Sequence, residues 1–162
     1  MDSLHEAFGW IAATLYVVMV IYLLRVRPTI LSLQFTFSPG AFHSVVAAWS
    51  EAASSRIRNH YFLDFPFLVS YGLFGYFLVE ETSLFAHLSH AMRNVAQWLL
   101  PFAAVVDAME NMLQISILRR PRSTILPHYY VFSGVFAVIK FGAILSFFSL
   151  LFIAWRSAAG IG

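Results

Sequence analysis

Apolar residues collect in four long runs, over residues 8–26, 61–79, 96–118 and 128–155. A helix needs about 20 apolar residues to cross the roughly 30 Å hydrocarbon core of a bilayer, so each run is a candidate span. Polar residues fill the gaps between them. The longest gap runs from Pro28 to Arg58 and carries a pattern of its own. Ser38-Pro39 is a helix-start signal, a capping side chain followed by the residue whose missing N–H does no harm in the first turn. Phe42, Val45, Val46 and Trp49 then recur at i, i+3, i+4 and i+7, opposite His43, Ser44, Ser50 and Glu51. This spacing predicts a short amphipathic helix over 39–53, lying in the membrane interface or folded over the spans as a lid. In the gap from Glu80 to Asn94, Ser83 is a candidate cap with Phe85, Leu88 and Met92 on one side. The expected architecture is a single all-α membrane domain over residues 1–162, an antiparallel four-helix bundle with a short amphipathic helix between its first two spans.

Polar residues inside the runs change the picture. Asp107, Glu110, Asn111 and Gln114 are spaced i, i+3, i+4 and i+7, so they form one stripe on an otherwise apolar helix. An ionised side chain at the middle of a bilayer costs about 2.5–3.5 kcal/mol on insertion scales, so buried carboxyls need partners. Lys140 is the sole lysine and lies mid-way along the fourth run, too deep to snorkel to either surface. Runs three and four are joined by a short loop and are expected to be antiparallel neighbours. Their depths then match, and a Lys140–Asp107 ion pair is expected. That pairing leaves Glu110 without a cation, either neutral or hydrated through a cleft open to the inner face. In the second run Asp64 shares a face with Tyr71 and precedes Pro66, which lacks an N–H and crowds the Phe62 carbonyl. Asp64 is read as the mouth of a cavity or, alternatively, as a cap near the start of its helix. Gly72 and Gly75 invite close approach of a neighbouring helix.

Composition agrees with the pattern. The chain is 60% hydrophobic and 11% charged, against about 25% charged in a soluble domain, so the surplus apolar surface must face lipid. A net charge of +2 does not point to nucleic acid, because the basic residues sit at the ends of apolar runs. Arg25, Arg27, Arg56, Arg58, Arg119, Arg120 and Arg122 fall in two alternate gaps, whereas Arg93 and Arg156 fall on the opposite side. The positive-inside rule then sets both termini outside the cytoplasm, in what is expected to be a bacterial inner membrane. Asp2 and Glu6 give the first run an acidic leader, and Arg25 and Arg27 close it, the reverse of a cleaved signal. That run is expected to be a retained span.

With no cysteine, thiolate chemistry and disulfides are excluded. Glu80, Glu81, His87 and His90 lie close in sequence but lack convergent ligand spacing, and they read as a solvated face rather than a metal site. No serine-hydrolase, zinc-protease or phosphate-loop motif occurs, and no cofactor signature. What remains is a polar cleft within the membrane. Asp107, Glu110 and Lys140 are the candidate catalytic groups, and Asp64, Tyr71, Asn111 and Gln114 the candidate ligand contacts. The expected partners are membrane lipids and an apolar, lipid-like or isoprenoid-like molecule, which acid–base chemistry could transform. Two other readings fit the same residues: a small proton-coupled transporter acting as a homodimer, and an accessory subunit of a membrane complex. Buried ion pairs also serve merely to lock helices together. In size, span number, long first connector and intramembrane acids beside aromatics, the chain resembles the four-span sterol-isomerase-like family, which includes emopamil-binding-type proteins. No motif carries individual residues across.

Overall fold

The structure, a computed structural model, describes residues 3–160; Asp2 of the acidic leader lies outside them. The described residues form six α-helices: α1 (Leu4–Leu23), α2 (Ile30–Gln34), α3 (Pro39–Ala47), α4 (Glu51–Glu81), α5 (His90–Arg119) and α6 (Pro127–Ala158). Short 3-10 turns at Ser83–His87 and Arg122–Thr124 link α4 to α5 and α5 to α6. Three helices, α1, α4 and α6, are long and apolar enough to cross a membrane. The remaining long helix, α5, has 30 residues, close to α4 and α6, but carries the polar stripe.

Serines start three of these helices by satisfying backbone N–H groups that have no partner within the first turn. Ser38 accepts from the Ala41 N–H, Ser50 from Ala53 and Ser89 from Met92, at 3.2–3.3 Å. The Ser50 cap corrects the expected connector. The amphipathic helix ends at Ala47 rather than 53, and residues from Glu51 onward belong to α4, which is 31 residues long. The N-cap position of the 3-10 turn is Thr82, not Ser83, and the Thr82 hydroxyl makes no capping bond, donating instead to the Leu78 carbonyl at 2.6 Å. Pro66 does not interrupt α4. The Phe62 carbonyl loses its usual donor there.

Each long helix packs antiparallel against the next, in the order α1, α4, α5, α6, with no substantial contact between the outer two. The result is a row of helices rather than a closed square. Along α1 and α4, Phe8 stacks on Phe77 at 5.9 Å and Tyr16 meets Phe67 at 6.1 Å. The pair is tied at its two ends by His5 to Glu81 (2.9 Å) and by Arg56 donating to the Tyr22 carbonyl (2.9 Å). Between α4 and α5 the approach is closest at Gly75, where an added Cβ would stand 2.6 Å from the Leu100 Cβ. Gly72 faces Ala104 in the same way at 3.2 Å. Small-residue contacts of this kind bring helix backbones together where lipid offers no hydrophobic drive.

Antiparallel packing gathers the C-terminal ends of α1 and α5 and the N-terminal ends of α4 and α6 at one end, with Arg25, Arg27, Arg56, Arg58, Arg119, Arg120 and Arg122. α2 and α3 fold over that end. Phe42 and Trp49 are buried there against Ala53, Ile57, Tyr61, Ile117 and Tyr130, and the Trp49 indole donates to the Pro28 carbonyl at 2.7 Å. α3 therefore packs as a lid. α2 has no counterpart among the sequence expectations. The chain after it presses on α6 at Gly134, where a Cβ would meet the Thr36 carbonyl oxygen and the Phe37 ring at 2.7 Å.

Candidate functional site

The stripe on α5 faces inward, between α4 and α6. Asp107, Glu110, Asn111 and Gln114 are all buried, and Lys140 reaches them from α6 with 3% of its surface exposed. The register is fixed twice on each side. Tyr61 of α4 donates its hydroxyl to Gln114 Oε1 at 3.0 Å, and one turn along Asn111 Nδ2 donates to Asp64 Oδ2. On the other side Lys140 Nζ donates to Asp107 Oδ1 at 2.7 Å, while Gln114 Nε2 reaches Ser133 Oγ at 3.3 Å. The second pair of partners stands seven residues from the first on both helices, as two antiparallel turns require.

Within α5, Gln114 Nε2 also donates to Glu110 Oε1 at 2.6 Å. One chain of contacts thus runs Tyr61–Gln114–Glu110–Lys140–Asp107. The expected Lys140–Asp107 pair is present. Glu110 is not left without a cation, however: its Oε2 lies 2.7 Å from Lys140 Nζ, a charge contact that is not aligned as a hydrogen bond. A lysine has a four-carbon stem and three donors, so it spans carboxyls placed one helical turn apart.

The charges do not balance. Asp64, Asp107 and Glu110 face one ammonium, and charge in a low-dielectric interior is costly unless neutralised. One ammonium offsets the charge of only one of the three carboxyls. Asn111 and Gln114 serve as fixed dipoles: each amide hydrogen-bonds a carboxylate but carries no labile proton itself. Tyr71, one of the expected ligand contacts, is buried near this group, and its hydroxyl has no hydrogen-bond partner. His60 is not among the sequence candidates, because it falls between the polar connector and the second apolar run. Its Nδ1–H donates to the Ile57 carbonyl at 2.5 Å and its ring lies 4.2 Å from that of Tyr61. Continuing the inward spacing of Tyr71, Leu68 and Asp64 back through Tyr61 to Ile57 would have put this turn inside the membrane helix.

One cavity, of about 100 Å³, opens between α4 and α5 at the arginine end and is lined by Tyr61, Phe62, Phe65, Ile115, Leu118, Arg58 and Arg119. A second, of about 10 Å³, lies beside Ser116 and Tyr129. Neither touches Asp107, Glu110 or Lys140. Tyr61 is where the larger cavity meets the network. In the second connector Glu81 bonds His5, and Glu80 accepts from Gln97 at 2.8 Å, so neither carboxylate turns toward His87 or His90.

Fold and site together define an all-helical membrane protein with an ion-paired carboxyl network in its interior. Comparison of the chain with protein-family models, with curated proteins and with solved structures finds no match.

Proposed function

We propose that the chain crosses the bilayer four times, through α1, α4, α5 and α6, and binds a lipid-like molecule beside a proton-exchanging network. The observation that carries this reading is the double membership of Tyr61. Its ring lines the α4–α5 cavity, and its hydroxyl is hydrogen-bonded to the interior network through Gln114. A molecule in the cavity meets Tyr61 first, with Glu110, Asp107 and Lys140 behind it. A proton gained or lost at Glu110 changes how Gln114 is held and so changes the group that Tyr61 presents. The Tyr61 hydroxyl is committed as a donor to Gln114, so Tyr61 is the binding contact and acid–base chemistry on the molecule falls to the carboxyls behind it. The arginine end faces the cytoplasm on this reading, with both termini outside, in a bacterial inner membrane.

A transmembrane proton path fits less well. Beyond Asp107 and Tyr71 the buried core toward the other end includes Leu100, Ala103, Ala143 and Phe147, and among the described residues no buried polar side chain lies there. The network opens toward one side.

The test is native mass spectrometry of gently extracted protein. A retained small molecule at one per chain, lost in Tyr61→Phe and altered in Glu110→Gln with the fold intact, supports the reading. Equal retention in all three proteins, or no retained molecule, overturns it. If Glu110→Gln instead releases a protein partner, the chain is an accessory subunit.

A further inference from the structure

The network leaves unexplained the two arginines at the mouth of the α4–α5 cavity. Arg58 and Arg119 are exposed, stand on facing helices, and form no ion pair among the described residues. The bonds Tyr61–Gln114 and Asp64–Asn111 fix the α4–α5 register, so Arg58 lies level with Ile117. Arg119 is two residues further along, about 3 Å at 1.5 Å per residue. Two guanidinium groups thus flank one opening at nearly one depth.

Below them the lining is apolar. Phe62 is 74% exposed and projects outward one turn deeper, while Phe65 and Ile115 continue the wall toward the interior. A cavity of about 100 Å³ is too small to enclose a whole ligand, since drug-sized pockets run to about 300–1,000 Å³. It is large enough for a headgroup fragment whose chain lies outside, along the helix surface. Guanidinium forks match phosphate oxygens two at a time, and an arginine is always charged.

We propose that this cavity seats a phosphate-headed membrane amphiphile of net negative charge, its phosphate held between Arg58 and Arg119 with no cationic headgroup to compete with them, and its chain lying over Phe62 and Phe65. This rests on the functional reading above and names its ligand class. A phosphate placed there is one turn from Tyr61, the outer member of the interior network. The apolar wall below the arginines favours a lipid over a free anion.

The experiment reconstitutes the full chain with phosphatidylglycerol and phosphatidylcholine in equal amounts and counts the lipid retained after dilution into neutral detergent. Preferential retention of one phosphatidylglycerol per chain is expected. Arg58→Gln and Arg119→Gln should each lower the preference about fivefold and the double variant about thirtyfold, from the usual strength of one basic residue at an anionic membrane surface. Arg58→Lys keeps the charge without the fork and should fall in between. Arg25→Gln, at the same end but outside the cavity, controls for net charge and should leave the preference intact. Displacement by millimolar inorganic phosphate would show a free-anion site and overturn the lipid assignment. Retention blind to headgroup charge, or lost equally in Arg25→Gln, also overturns it, while the Tyr61→Phe and Glu110→Gln results still judge the network. Conversely, loss in the arginine variants with no effect of Tyr61→Phe or Glu110→Gln upholds the phosphate seat and removes the network from function.

Discussion

Lys140 Nζ stands 2.7 Å from Glu110 Oε2 on the neighbouring helix, yet the hydrogen bond it donates goes to Asp107 Oδ1, also at 2.7 Å. One ammonium is therefore shared by two acids a helical turn apart. Removing it leaves both carboxyls buried without a cation. Lys140→Met should cost about 3–5 kcal/mol, the usual result of deleting one member of a buried pair. Unfolding in detergent or nanodiscs would measure it. Part of the loss should be recovered by Asp107→Asn in the Lys140→Met background, because the stranded charge is then gone. A double variant no more stable than Lys140→Met would contradict the shared pairing.

Glu110→Gln should be far milder than Lys140→Met. It removes one of the excess negative charges and leaves Lys140 with Asp107. The variant should fold, with a stability change within about 1–2 kcal/mol. Unfolding of Glu110→Gln beside Lys140→Met in detergent measures the difference. A loss as large as that of Lys140→Met would contradict an excess of carboxyls around one ammonium.

Gly75 and Gly142 give a contrast within one molecule. Gly75→Ala places a methyl 2.6 Å from the Leu100 Cβ and should cost about 1–3 kcal/mol through overpacking. At Gly142 nothing lies within 4 Å, so Gly142→Ala should be neutral or gain up to about 1 kcal/mol from helix propensity. Thermal unfolding of the two variants side by side decides it. Equal effects would mean α4 and α5 are not packed at Gly75.

His43 supplies a pH dependence outside the membrane helices. Burial, and then the Arg122 charge, hold its ring below the ordinary value of about 6.5. Its Nε2 lies 2.9 Å from the Tyr130 hydroxyl, which can donate only to the neutral ring. Because the folded-state value is depressed, the unfolded chain takes up the proton first as pH falls. The stabilisation is complete above about pH 6.5 and declines below it, toward the folded-state value. His43→Gln should flatten the stability curve between about pH 5 and 7. An unchanged slope would remove His43 from the α3–α6 contact.

The sequence disclosed the interior better than the ends. The i, i+3, i+4, i+7 spacing of Asp107, Glu110, Asn111 and Gln114 was visible because polar residues stand out against an apolar helix. Matching depths then paired Asp107 with Lys140. What depth could not supply was side-chain reach, so Glu110 appeared to lack a cation. The start of α4 was hidden for a different reason. Residues 51–60 are polar enough to read as a connector, yet Ile57 and Tyr61 bury one face while Arg58 and Asn59 remain outside. The same misreading concealed His60. α2 went unseen because five residues are too few for a periodic signal, and the Thr29 side chain makes no capping bond to its backbone.

The paired contacts joining α5 to α4 and to α6 also constrain how this chain can vary in length. One residue inserted between Leu100 and Asp107 would rotate all that follows by about 100°, turning the acids toward hydrocarbon and away from Lys140. No compensating shift of α4 or α6 could restore both sets of partners, since the same helix serves the two neighbours at once. Insertions and deletions should therefore be confined to the segments outside the long helices: an altered count between Leu100 and Gln114 would break the network, and one between Asp64 and Gly75 would set the α4 contacts to it against the close packing at Gly75.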